Sequence, residues 1–208
     1  MLRYPYKQLK YLLVGVYMDC WGRTYELKQL EKIQEKSQSS LVVIMGRRRI
    51  GKSYLAKYFG KSYTHALFFE GLAPQPKQTN QTQLDIFAKE LTLQTGTPGF
   101  KFTDWSDAFT ALAKLIKNKK IFILLDEISW MGHHDPDFSG KLKIAWDNHF
   151  SNNKNLILIV CGSVSAWIDK NILNSSDFVG RVSLQINLGE LPLASVKNFI
   201  GKKRTPTK

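Results

Sequence analysis

The residues best placed to do chemistry begin at position 46. The run Gly46-Arg47-Arg48-Arg49-Ile50-Gly51-Lys52-Ser53 satisfies the pattern G-x-x-x-x-G-K-[ST] at every fixed position. Gly46 and Gly51 admit backbone angles that other residues resist, so successive N–H groups can turn inward around phosphate oxygens. Lys52 would reach the β- and γ-phosphates of a nucleotide as a mobile point charge, and the Ser53 hydroxyl would ligate Mg²⁺. The helix that follows, with Tyr54 in its first turn, would direct its positive dipole end at the same anion.

A second chemical group closes the apolar run Ile121-Phe122-Ile123-Leu124-Leu125 with Asp126-Glu127. In phosphoryl-transfer proteins an aspartate at the end of a neighbouring strand holds Mg²⁺. A glutamate directly after it can orient and polarise the attacking water. Side chains alternate along a strand, so the two carboxylates would serve different roles rather than chelate together. Taken alone, Asp126 reads equally well as a helix cap; the complete phosphate loop upstream favours the metal reading.

Two further positions stay open between two readings. Ser163, in Cys161-Gly162-Ser163 at the end of another apolar run, would either face a γ-phosphate or form an ordinary turn. Arg181, in Val179-Gly180-Arg181, would either stabilise charge on a transferring phosphoryl group or make a structural ion pair. The segment His133-His134-Asp135-Pro136-Asp137 carries metal-ligating residue types, but adjacent residues rarely converge on one ion and Pro136 marks a loop. It is read as a loop and not as a metal centre.

The elements that must position these groups can be read from periodicity. Continuous apolar runs at 41–45, 65–70, 121–125 and 156–161 predict buried strands, and alternation over 182–188 predicts a fifth, at an edge. Helical spacing predicts helices over 21–36, 51–59, 82–93, 105–116 and 141–150. Loops rich in glycine and proline fall at 71–81 and 95–101. Strands alternating with helices predict an α/β fold with a parallel sheet covered on both faces. Sites in such sheets lie beyond the carboxyl ends of the strands, which points to the segments after Met45, Leu125 and Cys161. The run 65–70 falls between the phosphate loop and Asp126 in sequence, implying a strand inserted between the loop strand and the acidic strand. NTP hydrolases of the additional-strand class have this arrangement.

The 208-residue chain is 43% hydrophobic and 23% charged, which excludes disordered and collagen-like classes. Its formal charge of +13 is concentrated. Four basic residues end the chain (Lys202, Lys203, Arg204, Lys208), three begin it (Arg3, Lys7, Lys10) and four lie in the loop at 47–52. Setting those eleven aside leaves 19 basic residues against 17 acidic, a nearly neutral body. Two cysteines, Cys20 and Cys161, give no disulfide framework and fit a reducing, cytoplasmic setting. The apolar stretch at 11–18 is far shorter than the roughly 20 residues of a spanning helix and lacks a cleavage pattern, so neither membrane insertion nor secretion is expected.

Together, Trp21-Gly22-Arg23-x-x-Glu26-Leu27, the loop at 46–53, the run L-L-D-E-I-S-W-M at 124–131, Cys161-Gly162-Ser163 and Val179-Gly180-Arg181 resemble one group. They are similar to bacterial and archaeal ATP-binding proteins of the AAA superfamily, in the branch close to STAND ATPases and origin-recognition initiators. The resemblance covers residues 20–200. It implies a three-layer αβα P-loop NTPase fold with strand order 5-1-4-3-2, preceded by a lead-in at 1–19 and followed by a basic tail at 201–208. It implies ATP·Mg²⁺ as the cofactor, with Lys52 and Ser53 on the nucleotide and metal, and Asp126 on the metal. Glu127 becomes the base, Ser163 a polar sensor and Arg181 an arginine contact, while Gly22 and Arg23 lie by the adenine-side entrance. Family members usually continue into a helical lid and often a winged helix; this sequence lacks them, so either it is truncated or the lid is absent.

An Mg²⁺-dependent ATPase is the leading expectation. A nucleotide-gated interaction module that holds ATP or ADP, with a protein partner or a second copy, is one rival. A DNA-associated regulator using the basic tail is the other.

Overall fold

A computed structural model describes residues 20, 22–163, 166–193 and 195. The chain divides into two units, Tyr25–Glu190 and a smaller one made of Met1–Thr24 with Leu191–Lys208. The lead-in at 1–19 and the tail at 201–208 lie outside the described residues.

Five strands form one parallel sheet: β1 Ser40–Gly46, β2 His65–Glu70, β3 Ile121–Asp126, β4 Leu156–Ser163 and β5 Val182–Leu188. Their order is β2-β3-β4-β1-β5, which is the expected 5-1-4-3-2 read from the other edge. β1, β3 and almost all of β4 are buried along their lengths, as continuous apolar runs require when helices cover both faces. β5 is an edge strand, as its alternation predicted. In space the strand between β1 and β3 is β4; β2, which intervenes in sequence, lies outside β3 at the far edge.

Among the described residues the α-helices of four or more residues are α1 Thr24–Glu35, α2 Lys52–Gly60, α3 Asn80–Thr95, α4 Trp105–Ile116, the single turn α5 Ile128–Met131, and α6 Phe138–Asn148. α3 starts two residues before the predicted helix because Thr79 and Thr82 form a reciprocal capping box, and Gly96 closes it in the left-handed conformation. α6 starts at Phe138 and not at Lys141, and a separate 3₁₀ turn takes up Phe150–Asn152. One face of the sheet buries Val43, Met45, Phe69 and Leu125 against Phe87, Trp105, Phe109 and Phe138. Stacked and edge-on ring pairs link these aromatics, Phe69 to Phe87 at 4.3 Å and Trp105 to Phe138 at 4.9 Å between centroids.

The open edge of β2 is closed by side chains of α3. Gln94 accepts from the Phe68 amide and donates to its carbonyl, both at 2.7 Å. Gln83 does the same for Leu72 at 3.0 and 2.7 Å, and Glu90 accepts from the Glu70 amide at 3.3 Å. Phe68, Glu70 and Leu72 alternate, so their outward backbone groups lie on one side. Positions 83, 90 and 94 share one helix face. The helix stands in for a sixth strand and blunts an edge that would otherwise template pairing.

Beyond the carboxyl end of the sheet, Lys141 bridges Asp104, which caps α4, and the buried Asp135, the latter at 2.8 Å. Asp135 also accepts from the Asp137 amide at 2.9 Å. The acidic part of the 133–137 segment therefore holds the starts of α4 and α6 together. Among the described residues no group of three or more His, Cys, Asp or Glu could hold a metal ion. No helix of the described residues is long and apolar enough to cross a membrane.

Candidate nucleotide site

β1 runs through the middle of the core and delivers Gly46 to the carboxyl edge. Nothing larger fits there: a Cβ on Gly46 would lie 2.5 Å from the Leu188 carbonyl oxygen of β5. The loop then turns through Arg49 (φ 63°) and Gly51 (φ 101°), both left-handed, before α2 begins at Lys52. Lys52 is 4% exposed. Its ammonium donates to the carbonyls of Gly46 and Arg47 at 3.1 and 3.0 Å, so the side chain lies back across the loop. Ser53 and Tyr54 follow in the first turn of α2, with Tyr54 exposed and its ring stacked on Tyr58 at 6.3 Å.

Asp126, the last residue of β3, is 2% exposed and accepts the Glu127 amide at 3.1 Å. Glu127 takes a left-handed conformation (φ 48°, ψ 50°) and caps α5. A non-glycine residue held there turns the chain sharply out of the strand, so the alternation of β3 ends at Asp126 and does not govern Glu127. One Glu127 carboxylate oxygen, Oε2, is buried without a hydrogen-bond partner. Burial and the neighbouring Asp126 charge lift the Glu127 carboxyl above its ordinary value, while Lys52, Arg48 and the Ser163 backbone amide pull the other way. Those opposing influences place Glu127 among the groups of the phosphate loop and the end of β4.

Ser163 lies directly opposite Gly46 in the β1–β4 register, so Gly46, Asp126 and Ser163 end three neighbouring strands at one edge. Arg48 reaches over this edge, its guanidinium 5.4 Å from the centre of the Trp130 ring on α5. Such a contact contributes about 0.5–1 kcal/mol at an exposed position, and it ties the loop to the helix that Glu127 caps. Arg47 makes only an exposed pair with Glu190 at 3.6 Å.

Arg181 is elsewhere. It precedes Val182, which pairs with Leu41 at the amino end of β1, a strand length of roughly 17 Å from Gly46 at about 3.3 Å per residue. Its guanidinium is engaged by Asp147 of α6, Nε to Oδ1 at 2.6 Å and Nη2 to Oδ2 at 2.9 Å. Within one chain Arg181 makes the ion pair, one of its two readings, and stands at the opposite edge from the loop, because β5 runs away from Arg181 toward Gly46. Gly22 and Arg23 belong to the smaller unit, where Gly22 is left-handed (φ 72°) and the Arg23 amide donates to Cys20 at 3.2 Å.

Two residues of the site were given no role there by the motifs. Trp130 carries the Arg48 contact, and Gly71, after β2, packs against α5 so closely that a Cβ would lie 2.6 Å from the Glu127 carbonyl oxygen. Trp130 stands three residues after Glu127 and had a visible signal as an aromatic beside a motif; Gly71 had none, since its contact is long-range.

Sheets of this order, with the loop strand central and the acidic strand two places away, are those of P-loop NTPases, and by fold this chain is one. Residues 21–204 match the family of ATPase domains found predominantly in Archaea, and the chain belongs to that family. It is 25% identical over 182 residues to an uncharacterised protein of Methanocaldococcus jannaschii, covering 86% of this chain and 38% of that one. Among solved structures it is similar to the ORC2 protein of Aeropyrum pernix in its ADPNP and ADP complexes, with a TM-score of 0.64 at 16% identity, over 91% of this chain and 54% of the other. It is equally similar to a Walker-type ATPase of Pyrococcus abyssi, with a TM-score of 0.64 at 15% identity, over 91% and 61%. A Drosophila origin recognition complex solved bound to DNA also matches, at 0.61 and 15%, over 95% and 48%. The chain thus spans between 38% and 61% of the length of these relatives.

Proposed function

We propose that this chain binds ATP with Mg²⁺ at the loop Gly46–Ser53 and hydrolyses its γ-phosphate. The observation that carries the reading is the meeting, at one sheet edge, of a glycine-framed loop holding a buried lysine with a glutamate whose buried oxygen lacks a partner. The family and the fold support nucleotide binding; turnover rests on Glu127.

The donor set suits Mg²⁺, a hard cation that takes one or two protein oxygens and keeps several waters. The Ser53 hydroxyl and the Asp126 carboxylate would hold it, and it would supply charge neutralisation on the phosphate oxygens. Lys52 would exchange its two loop carbonyls for β- and γ-phosphate oxygens. Glu127 would take a proton from water as the water oxygen attacks γ-phosphorus, and the bond from that phosphorus to the bridging oxygen would break to release ADP. Its raised affinity for a proton suits a base working near neutral pH. Ser163, in register with Gly46, would present its hydroxyl to the γ-phosphate.

Titration with ATP, ADP and GTP, followed by phosphate release on the same sample, tests the proposal. Glu127→Gln should lower turnover by about 10²–10⁴-fold while nucleotide still binds. Lys52→Ala should remove binding; undiminished ATP affinity in that variant would sink the assignment.

A further inference from the structure

The amino-terminal edge of the sheet, opposite the nucleotide site, carries charge that nothing above uses. β1, β2, β3 and β4 begin there, at Ser40, His65, Ile121 and Leu156. The segments leading into them, 35–38, 61–65, 114–120 and 148–155, contain seven lysines and a single acid, Glu35. All seven (Lys36, Lys61, Lys114, Lys117, Lys119, Lys120 and Lys154) are exposed. None is in an ion pair among the described residues, although Lys57, Lys141, Lys143, Arg47 and Arg181 elsewhere all have carboxylate partners.

Five of these lysines, Lys114, Lys117, Lys119, Lys120 and Lys154, line a chain of adjoining grooves. A groove between the end of α4 and the loop after α6 is lined by Lys114, Lys117, Asn118, His149 and Asn153. A second shares Asn118 and adds Lys119, Lys120, Ser62 and Thr64. A third shares Lys120 and adds Lys154, Asn155 and Gln38. The backbone beneath is fixed: Asn153 donates to the carbonyls of Ile116 and Lys119 at 2.9 and 3.1 Å, and the Ile121 amide donates to Asn155 at 3.1 Å.

Helix dipoles account for part of this charge, since a cation is favoured at a helix C-terminus. Lys36, Lys61, Lys114 and Lys117 follow or end helices in that way. Lys119, Lys120 and Lys154 do not, yet they crowd around the starts of β3 and β4, where mutual repulsion costs stability. We propose that this edge is a nucleic-acid interface that grips the phosphodiester backbone through its lysines, with the interleaved amide and hydroxyl side chains as neutral donors. Backbone recognition draws on these residue types. An anionic membrane fits less well, because basic membrane-docking surfaces add an apolar anchor. None of the large exposed hydrophobics falls in these four segments.

The proposal is independent of ATP turnover, and its test is salt-dependent binding of the full chain to a fluorescent 20-base-pair duplex. Each lysine–phosphate contact steepens the plot of log affinity against log salt by roughly 0.9. The triple variant Lys117→Glu, Lys119→Glu, Lys120→Glu should therefore flatten the slope by about 3 and weaken binding at least about tenfold at 0.1 M salt. Its thermal midpoint should match the parent, since all three side chains are exposed. Saturating ATP should not displace the duplex; displacement would assign binding to Arg47–Arg49 and overturn the proposal. So would a triple variant that binds as the parent does, which would assign binding to other basic residues such as those at the chain ends. Absence of duplex binding in the parent, or patch-dependent binding to vesicles containing 30% phosphatidylserine in its place, would overturn it as well.

Discussion

A methyl group at residue 71 is a sharp probe of how Glu127 is held. The added Cβ of Gly71→Ala would lie 2.6 Å from the Glu127 carbonyl oxygen, 3.0 Å from the Met131 amide nitrogen and 3.1 Å from Trp130 Cβ. Two of these atoms are backbone, so no rotamer change relieves the clash. Gly71 cannot retreat freely, because its amide donates to the Asp126 carbonyl at 2.9 Å. The single turn α5 must therefore move by roughly half an ångström or more to reach ordinary contact. Overpacking of this kind costs about 1–3 kcal/mol, and at about 2–4 °C per kcal/mol for a chain this size the thermal midpoint should fall by roughly 3–10 °C. α5 is capped by Glu127, so its carboxylate moves too. Misplacement on the order of 1 Å can cost about 10²-fold in rate, so phosphate release should drop about 10- to 100-fold. The phosphate loop touches α5 through Arg48 on Trp130, a contact of about 0.5–1 kcal/mol, so ATP affinity should stay within about fivefold. Paired ATP titration and phosphate-release assays on the folded variant decide the matter. Unchanged turnover, or affinity lost in step with turnover, refutes the claim that packing against Gly71 positions Glu127.

Three other perturbations test the frame around the site. The hydrogen bonds from Arg181, and then from Lys143, hold the Asp147 carboxyl below its ordinary value. A lowered value gives stability that is present above the usual carboxylate range and lost as pH falls through the folded value. Asp147→Asn should accordingly show a slightly lower thermal midpoint at pH 7, with the gap closing as pH falls below the usual carboxylate range; a gap independent of pH removes the ion-pair explanation. Lys141→Met would leave buried Asp135 without its cation, and loss of one partner from a buried pair costs about 3–5 kcal/mol. With Lys141 21% exposed the lower end is expected, and adding Asp135→Asn should restore part of the midpoint. Replacing Gln83 and Gln94 by alanine uncovers the β2 edge, so light scattering should reveal concentration-dependent association; a variant as monodisperse as the parent argues that α3 shields the edge by its bulk alone.

Legibility in the sequence followed the range of the interactions. The loop at 46–53 and the pair Asp126-Glu127 are local signals, and the fold brings both to the carboxyl edge that parallel topology predicts. Strand order was reached through the family likeness, because nothing in the periodicity says that β4 comes between β1 and β3. The place of Arg181 was also legible: it precedes β5, so the rule that sites lie beyond the carboxyl ends of strands puts it at the opposite edge of the sheet from the loop. Gly71 and the glutamines of α3 were invisible because their partners are distant in sequence and their roles depend on contacts a few ångströms long. The near-neutral charge of the chain body, read as an absence of pattern, concealed a segregation that only the fold reveals.

That segregation has a physical origin in the architecture. In a parallel α/β sheet the crossover helices all point their N-termini at the carboxyl edge of the strands, so partial positive charge gathers there and negative charge gathers opposite. The carboxyl edge is thereby prepared for phosphate, and α2 starts beside Gly51 where a phosphate would sit. The amino edge is prepared for cations, and a lysine near each helix end would satisfy it. α1, α2 and α4 receive theirs from Lys36, Lys61 and Lys114. Lys117 stands at the same helix end as Lys114, and Lys119 and Lys120 follow it into β3, so the cations there exceed what one helix end of about half a unit charge can balance. A surplus cation held close to others lowers its energy only by meeting an external anion. An anion that reaches several such lysines at once must be extended and repeatedly charged, which describes a polymer of phosphates better than a single carboxylate or a nucleotide.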